Sequence, residues 1–397
     1  MNLLPPPTYG SKPMTHAFVI GVGDYPHRDP AWGGLGVLAD VPNLPSAADS
    51  AKLVCEWLLE NGGELAAPLA SLEVVISDPS EADMRYPWTS PVAIGTATAD
   101  HVHAAGTAWL ERLRAREGDV ALFYCCGHGA MRAGDPILFL EDLNASESNP
   151  WSHLNVGELA QALRRTKQIR CAFMFSDACA EFLLSLEFDK PLQTRFYPAP
   201  LSFAPVRDKV SLLRAAPSAM LAYEGELLDG GGGVIAKAGR FTQVLLRALS
   251  GASARWEGNR WAITPTNVMF DLKNLRRVYF GHWEERQFEP SLVLSQNDVH
   301  AILHPAAPVL PLVILTDPED GGTMFDLHVS DRDDPNPPWI TSKQARSSNA
   351  WHTAVPAGRM PRYAVAIAPD QLPPPFHSSL FIPTQALFDQ RIPVGMS

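Results

Sequence analysis

The chain has 397 residues, of which 46% are hydrophobic, and a formal charge of −11. That length predicts two domains and a sizeable core, and the acidic balance disfavours nonspecific nucleic-acid binding, which needs a basic surface. The five cysteines (Cys55, Cys125, Cys126, Cys171 and Cys179) are odd in number and three fall in apolar strand patterns, so no disulfide framework is expected and the expected compartment is a reducing cytoplasm. The start, MNLLPPPTYGSK, lacks a charged segment followed by an apolar one, so no secretory leader is expected. No run of about 18 apolar residues predicts a membrane span.

Residues 1–14 are Pro-rich and read as a flexible arm. HAFVIGVG at 16–23 predicts a first buried strand, followed by a loop through Pro30, Gly33 and Gly34. Residues 43–61 read as a helix opened by Pro45 or Ser46, with Ala47, Ala48, Ala51, Val54 and Leu58 on one face. LEVVIS at 72–77 predicts a second strand, 79–91 a polar insertion, and 98–116 a second helix. Val120–Cys125 is six apolar or aromatic residues in a row, the pattern of a strand covered on both faces. It stops at Gly127-His128-Gly129, a turn on which backbone N–H groups can face outward. A short strand at 137–140 and a helix at 156–166 follow.

CAFMF at 171–175 repeats the strand-then-polar design and runs into Ser176-Asp177-Ala178-Cys179. An irregular segment over 180–210 leads to a predicted strand at 211–223, a glycine loop at 230–233 and helices at 239–250 and 265–279. Strands alternating with helices over 16–295 predict a mostly parallel sheet with helices on both faces. From 305 the texture changes to short β-like runs (LVILT, FDLHV, WIT, YAVAIA) between Pro-rich or acidic turns. The expected organisation is an arm at 1–14, an α/β domain at 15–304 containing a linker at 180–214, and a small β-rich domain at 305–397.

In open parallel sheets catalytic groups stand at the carboxyl ends of strands. His128 and Cys179 both fall there, 51 residues apart, enough for one return crossover. A thiolate is a strong nucleophile once a base or a lowered pKa produces it, and a histidine can then protonate a leaving amine. The backbone N–H groups of Gly129 and Cys179 are candidate donors to an oxyanion. The alternative is that Cys179 is a small core residue and His128 a turn residue. No metal or cofactor is expected. Cys125 and Cys126 would point to opposite faces of a strand. His101 and His103 diverge on a helix, and 230–233 lacks the Lys-Ser/Thr of a phosphate loop. Asp331, Asp333 and Asp334 lack calcium-loop spacing and read as a solvated turn.

A hydrophobic strand ending in His-Gly, then a second ending in Asp-x-Cys about 50 residues on, resembles the caspase-like cysteine peptidases, including metacaspases and bacterial paracaspase-like proteins. The resemblance covers roughly 16–295. VIGVGDYP, NLPSAADSAKLVCEWL, GRFTQVLLRAL and QFEPSLVL fit it in this order. It implies a caspase-like sheet, Cys179 as nucleophile and His128 as acid/base. Asp177 would line a pocket for an Arg or Lys side chain of a protein or peptide substrate, with Asp49 a second candidate for that pocket. The alternative for both is a solvated carboxylate, a helix cap or a loop hydrogen bond. After Cys179 the chain reads Ala180-Glu181, where metacaspases have His-Ser-Gly and caspases Arg-Gly.

The 180–214 linker corresponds to the segment that caspases cut on maturation, and its Lys190, Arg195, Arg207, Lys209 and Arg214 are candidate self-cleavage points. The resemblance further implies a regulated bacterial protease of stress, antiphage defence or cell death, with an activating partner. The rival expectations are an inactive caspase-like scaffold recruiting partners through 305–397, and a cysteine hydrolase of nonpeptide groups.

Overall fold

The apolar runs form one six-stranded sheet. β1 (Thr15–Val22), β2 (Leu69–Ser77), β3 (Val120–Gly127), β7 (Cys171–Ala178), β9 (Val210–Arg214) and β14 (Ser291–Leu294) stand in the order β14-β9-β7-β3-β1-β2. Every pairing is parallel except the edge pair β14–β9. β1, β3 and β7 are buried along their whole length, which is why their sequences show no polar alternation. The computed structural model describes residues 3–4, 12–27, 41–80, 93–182, 194–198, 209–228, 233–281, 288–294, 300–333, 336–343, 346, 349–368 and 376–394. The expected arm at 1–14 lies largely outside these residues. Outside them too are the loop through Pro30, Gly33 and Gly34, most of the 79–91 insertion, Lys190, Arg207, the first three residues of the 230–233 loop, and Asp334.

The first three helices fall within the spans expected of them. α1 (Pro45–Asn61) begins with a proline in its first turn and buries Ala47, Ala48, Ala51, Val54 and Leu58. α2 (Ala99–Ala115) is capped by Thr98, whose side chain accepts from the His101 N–H. α3 (Val156–Arg165) is capped by Asn155, which accepts from the Glu158 N–H at 2.8 Å. Past its C-terminus, buried Lys209 donates to the carbonyls of Thr166 and Ile169, a cation set against the negative end of the helix.

The chain steps from β1 outward to β2 through α1, then back past β1 to β3 through α2. Connections of one hand put those two helices on opposite faces. On one face α2 and α3 close a core with Phe18, Ile20, Phe123, Met174 and Leu212. On the other, α1 packs against β1 and β3. There Thr242 of α4 (Arg240–Arg247) lies 2.6 Å from the Tyr124 hydroxyl. The reversal of strand order falls between β1 and β3, and the crevice above such a reversal is where α/β sheets bind ligands.

A smaller sheet stands beyond those carboxyl ends. β4 (Gly129–Arg132), β5 (Asp135–Phe139), β6 (His153–Asn155) and β8 (Glu181–Phe182) are ordered β6-β5-β4-β8. A hairpin, β10 (Glu224–Leu228) with β11 (Val234–Gly239), precedes α4. Two expectations change. The strand expected over 211–223 ends at Arg214, with Pro217 closing off the extended run, and the chain becomes a loop before β10. The helix expected to Ser250 stops at Arg247 and widens into a turn over Ala248–Ala252, with Gly251 at φ 116°.

By packing, the chain forms two compact units: Met1–Leu246 with Trp283–Leu303, and Arg247–His282 with His304–Ser397. The second unit holds the hairpin β12 (Arg255–Glu257) and β13 (Arg260–Ala262), helix α5 (Pro265–Tyr279), and two β-sheets. One sheet is β18 (Trp351–Pro356), β15 (Val309–Asp317) and β21 (Leu387–Pro393). The other is β17 (Thr341–Lys343), β16 (Asp326–Ser330), β19 (Arg362–Ile367) and β20 (Phe376–Phe381). Leu312, Ile314, Leu327, Val329, Ala364, Ala366 and Ile392 form their shared core. Of the expected WIT strand, only Thr341 is in a strand. Among the described residues no helix is long and apolar enough to cross a membrane.

Candidate active site

The register of β3 against β7 decides which residues meet. Gly127 pairs with Ala178, so the next residue on each chain, His128 and Cys179, leaves the sheet from neighbouring strand ends. Adjacent strands lie about 4.8 Å apart. Gly129 is pressed against the same turn: a Cβ built on it would lie 2.8 Å from the Cys179 carbonyl oxygen and 2.9 Å from the Ala178 Cβ. The residue beside the histidine therefore has to be glycine for the two strand ends to stay together.

His128 is held on several sides. Its N–H donates to the Tyr25 hydroxyl at 2.9 Å, and its carbonyl accepts from the Phe139 N–H at 2.9 Å. Its Nε2 lies 2.9 Å from the Pro42 carbonyl oxygen. A carbonyl can only accept, so Nε2 carries the proton and a neutral imidazole keeps Nδ1 as its basic nitrogen. The Tyr25 ring stands 5.0 Å from the imidazole. Burial pushes the Tyr25 hydroxyl far above the usual phenol range; the His128 N–H draws it down, and the Cys126 and Cys179 thiols add to the rise. Tyr25 therefore stays protonated.

Of the five cysteines only Cys179 is not buried. Burial pushes the Cys125 and Cys171 thiols up to about 12 and holds Cys55 and Cys126 well above the usual value. A buried thiol that resists ionisation is a poor nucleophile. The Cys179 Sγ meets one residue of the loop before β10 through both of its backbone groups: the Ala222 N–H at 3.4 Å and the Ala222 carbonyl at 3.8 Å.

The two candidate pocket acids have separate partners. Asp177 is buried on β7, and its Oδ2 accepts from the Thr242 N–H at 3.1 Å and the Thr242 hydroxyl at 2.5 Å. It thus satisfies an N–H at the start of α4, as a cap does. Burial raises its carboxyl to about 6, against the downward pull of the two Thr242 bonds. Asp49, on α1, pairs with Lys52 at 2.9 Å, and Lys52 also pairs with Asp78 at 2.6 Å. A third carboxylate, Glu224, follows Ala222 by two residues and pairs with Lys237 at 3.1 Å. Sequence reading did not single it out, because only the fold reveals that Ala222 touches the sulfur.

Of the linker's basic residues, Lys190 and Arg207 lie outside the described residues. Arg195 pairs with Glu158 at 2.6 Å. Lys209 and Arg214 are buried in the packed sheet region, where no protease could reach them without unfolding it.

No family model matches the chain. Among curated proteins, the chain is similar to an uncharacterized protein, y4kE, of Sinorhizobium fredii (strain NBRC 101917 / NGR234), with 31% identity over 192 residues. The match covers 47% of this chain and 50% of the relative, so it spans about half the length of that protein. Among solved structures, the chain is similar to caspase-1 from Spodoptera frugiperda, with a TM-score of 0.41 and 10% identity over 72% of this chain and 89% of that one.

Proposed function

We propose that the chain is a caspase-like cysteine endopeptidase that cleaves proteins after Arg or Lys. His128 takes the Cys179 thiol proton; the thiolate attacks the scissile carbonyl carbon, a C–S bond forms, and the oxygen takes the negative charge opposite the Gly129 and Cys179 N–H groups. The C–N bond then breaks and the amine leaves with a proton from His128. Water next attacks the thioester and gives one proton to His128; the C–S bond breaks, releasing the new carboxylic acid and leaving the Cys179 thiolate beside protonated His128. The observation that supports this reading most is the register in which Gly127 pairs with Ala178, making the next two residues neighbours. The burial of the other four cysteines adds to it.

Asp177 and Asp49 serve as the acids that read the basic side chain, and Glu224, two residues past the Ala222 that meets the sulfur, is a third candidate. A guanidinium beside Asp177 would draw its carboxyl back down and replace the solvation that burial removes. The reaction belongs to a cytoplasmic, partner-activated protease of bacterial stress, antiphage defence or cell death. A second reading, an inactive scaffold, has one observation in its favour: both backbone groups of Ala222 face the sulfur that a substrate must reach.

Fluorogenic peptides with Arg, Lys or Asp before the reporter separate these readings, using wild type, Cys179→Ala and Asp177→Ala. Hydrolysis after Arg and Lys that both variants lose is the expected result. Cleavage after Asp would retain the dyad and discard the basic pocket. Silence on every peptide, in the presence of cell extract as a source of activator, would favour the scaffold.

A further inference from the structure

Five hydrogen bonds around His128 close into two rings, and Tyr25 belongs to both. In the first, the Tyr25 hydroxyl accepts from the His128 N–H at 2.9 Å, the His128 carbonyl accepts from the Phe139 N–H at 2.9 Å, and the Phe139 carbonyl lies 3.5 Å from the Tyr25 hydroxyl. In the second, the Tyr25 N–H donates to the Asn43 Oδ1 at 3.0 Å, while Pro42, one residue before, accepts from the His128 Nε2 at 2.9 Å. The first ring fixes the backbone of His128 and the second its side chain. Tyr25 is fully enclosed and Asn43 half-buried. A Cβ on Gly127 would lie 3.0 Å from the Tyr25 hydroxyl, so the strand end is shaped around that oxygen.

We infer that Tyr25 and Asn43 are positioning residues for the histidine of the dyad. Neither needs to touch substrate. Tyr25 sets where the imidazole leaves the strand. Asn43, held by the Tyr25 N–H, sets the Pro42 carbonyl that keeps the proton on Nε2 and leaves Nδ1 as the base. Tyr25 comes from the loop after β1 and His128 from the end of β3, so this clamp closes across the crevice where strand order reverses. The inference rests on the dyad reading above.

The test measures the rate of Cys179 alkylation by iodoacetamide against pH, together with kcat and KM on the Arg peptide. The variants are Tyr25→Phe, Asn43→Leu, Asn43→Asp and His128→Ala, each checked for its melting temperature. Tyr25→Phe and Asn43→Leu are expected to lower kcat about ten- to hundredfold with KM within about twofold, since small misplacements of a catalytic group cost that much. Their alkylation profiles should move toward that of His128→Ala. Asn43→Asp keeps an acceptor for the Tyr25 N–H and should restore the wild-type profile. Wild-type kcat and profile in a folded Tyr25→Phe would overturn the inference. So would equal losses in Asn43→Leu and Asn43→Asp, which decide the case if Tyr25→Phe fails to fold. Alkylation needs no substrate. His128-dependent alkylation in a chain that cleaves no peptide would therefore count against the peptidase reading alone, and the profiles would still decide the clamp. Alkylation that His128→Ala leaves unchanged would overturn both.

Discussion

At the scale of single residues, Asp177 makes the sharpest demand on the fold. Its carboxyl is raised from 3.8 to about 6 by burial, with the Thr242 bonds opposing the rise. The folded chain therefore holds a proton there more tightly than the unfolded chain between about pH 4 and pH 6, and stability falls as pH rises through that window. The drop amounts to about 3 kcal/mol and levels off above pH 6. Urea unfolding of wild type and Asp177→Asn across pH 4–8 should give a stability difference that moves against wild type up to pH 6 and is constant beyond. A flat difference would mean that the carboxyl is not buried in the folded state. The residue was legible in the sequence as Asp-x-Cys at a strand end, but its tie to Thr242 was not, because α4 lies 65 residues further on. Separation in sequence also hid the clamp: Tyr25 and His128 are 103 residues apart.

At the scale of elements, the site depends on how closely two strand ends can approach. A Cβ on Gly129 would meet the Ile137 carbonyl at 2.7 Å and the Cys179 carbonyl at 2.8 Å. These are backbone atoms on both sides, and neither can swing aside. Gly129→Ala should therefore push β4 away from the end of β7, lowering activity about a hundredfold and stability by about 1–3 kcal/mol. Gly63→Ala, whose Cβ would meet nothing within 4 Å, is the control and should change neither. Equal activity in the two variants, measured on the Arg peptide, would contradict the strand-end account. The long buried strands β1, β3 and β7 and the helices α1, α2 and α3 could be read from apolar runs and helical spacing. The four-stranded sheet that carries Gly129 could not, because β6 and β8 are only three and two residues long and take their form from partners, not from a pattern of their own.

For the whole molecule, the change of texture at 305 marks where the β-rich stretch begins. That Arg247–His282 packs in the same unit is a long-range property and leaves no local mark. α5 fully buries Val268, Leu272 and Leu275, and within its unit it packs against Ala248–Ala252 and β15. Removing 305–397 deletes β15, so the shortened chain should expose that apolar face and elute from gel filtration as aggregates. A monomer with the wild-type melting temperature would contradict this.

Covalent trapping reads the partnership of His128 and Cys179 at the sulfur itself. Full-length protein would be treated with an Arg-containing peptidyl fluoromethyl ketone and the adduct located by peptide mass spectrometry. One adduct is expected, on Cys179, and His128→Ala should lose it. An adduct spread over Cys55, Cys125, Cys126 and Cys171, or labelling of Cys179 at the same rate without His128, would contradict it.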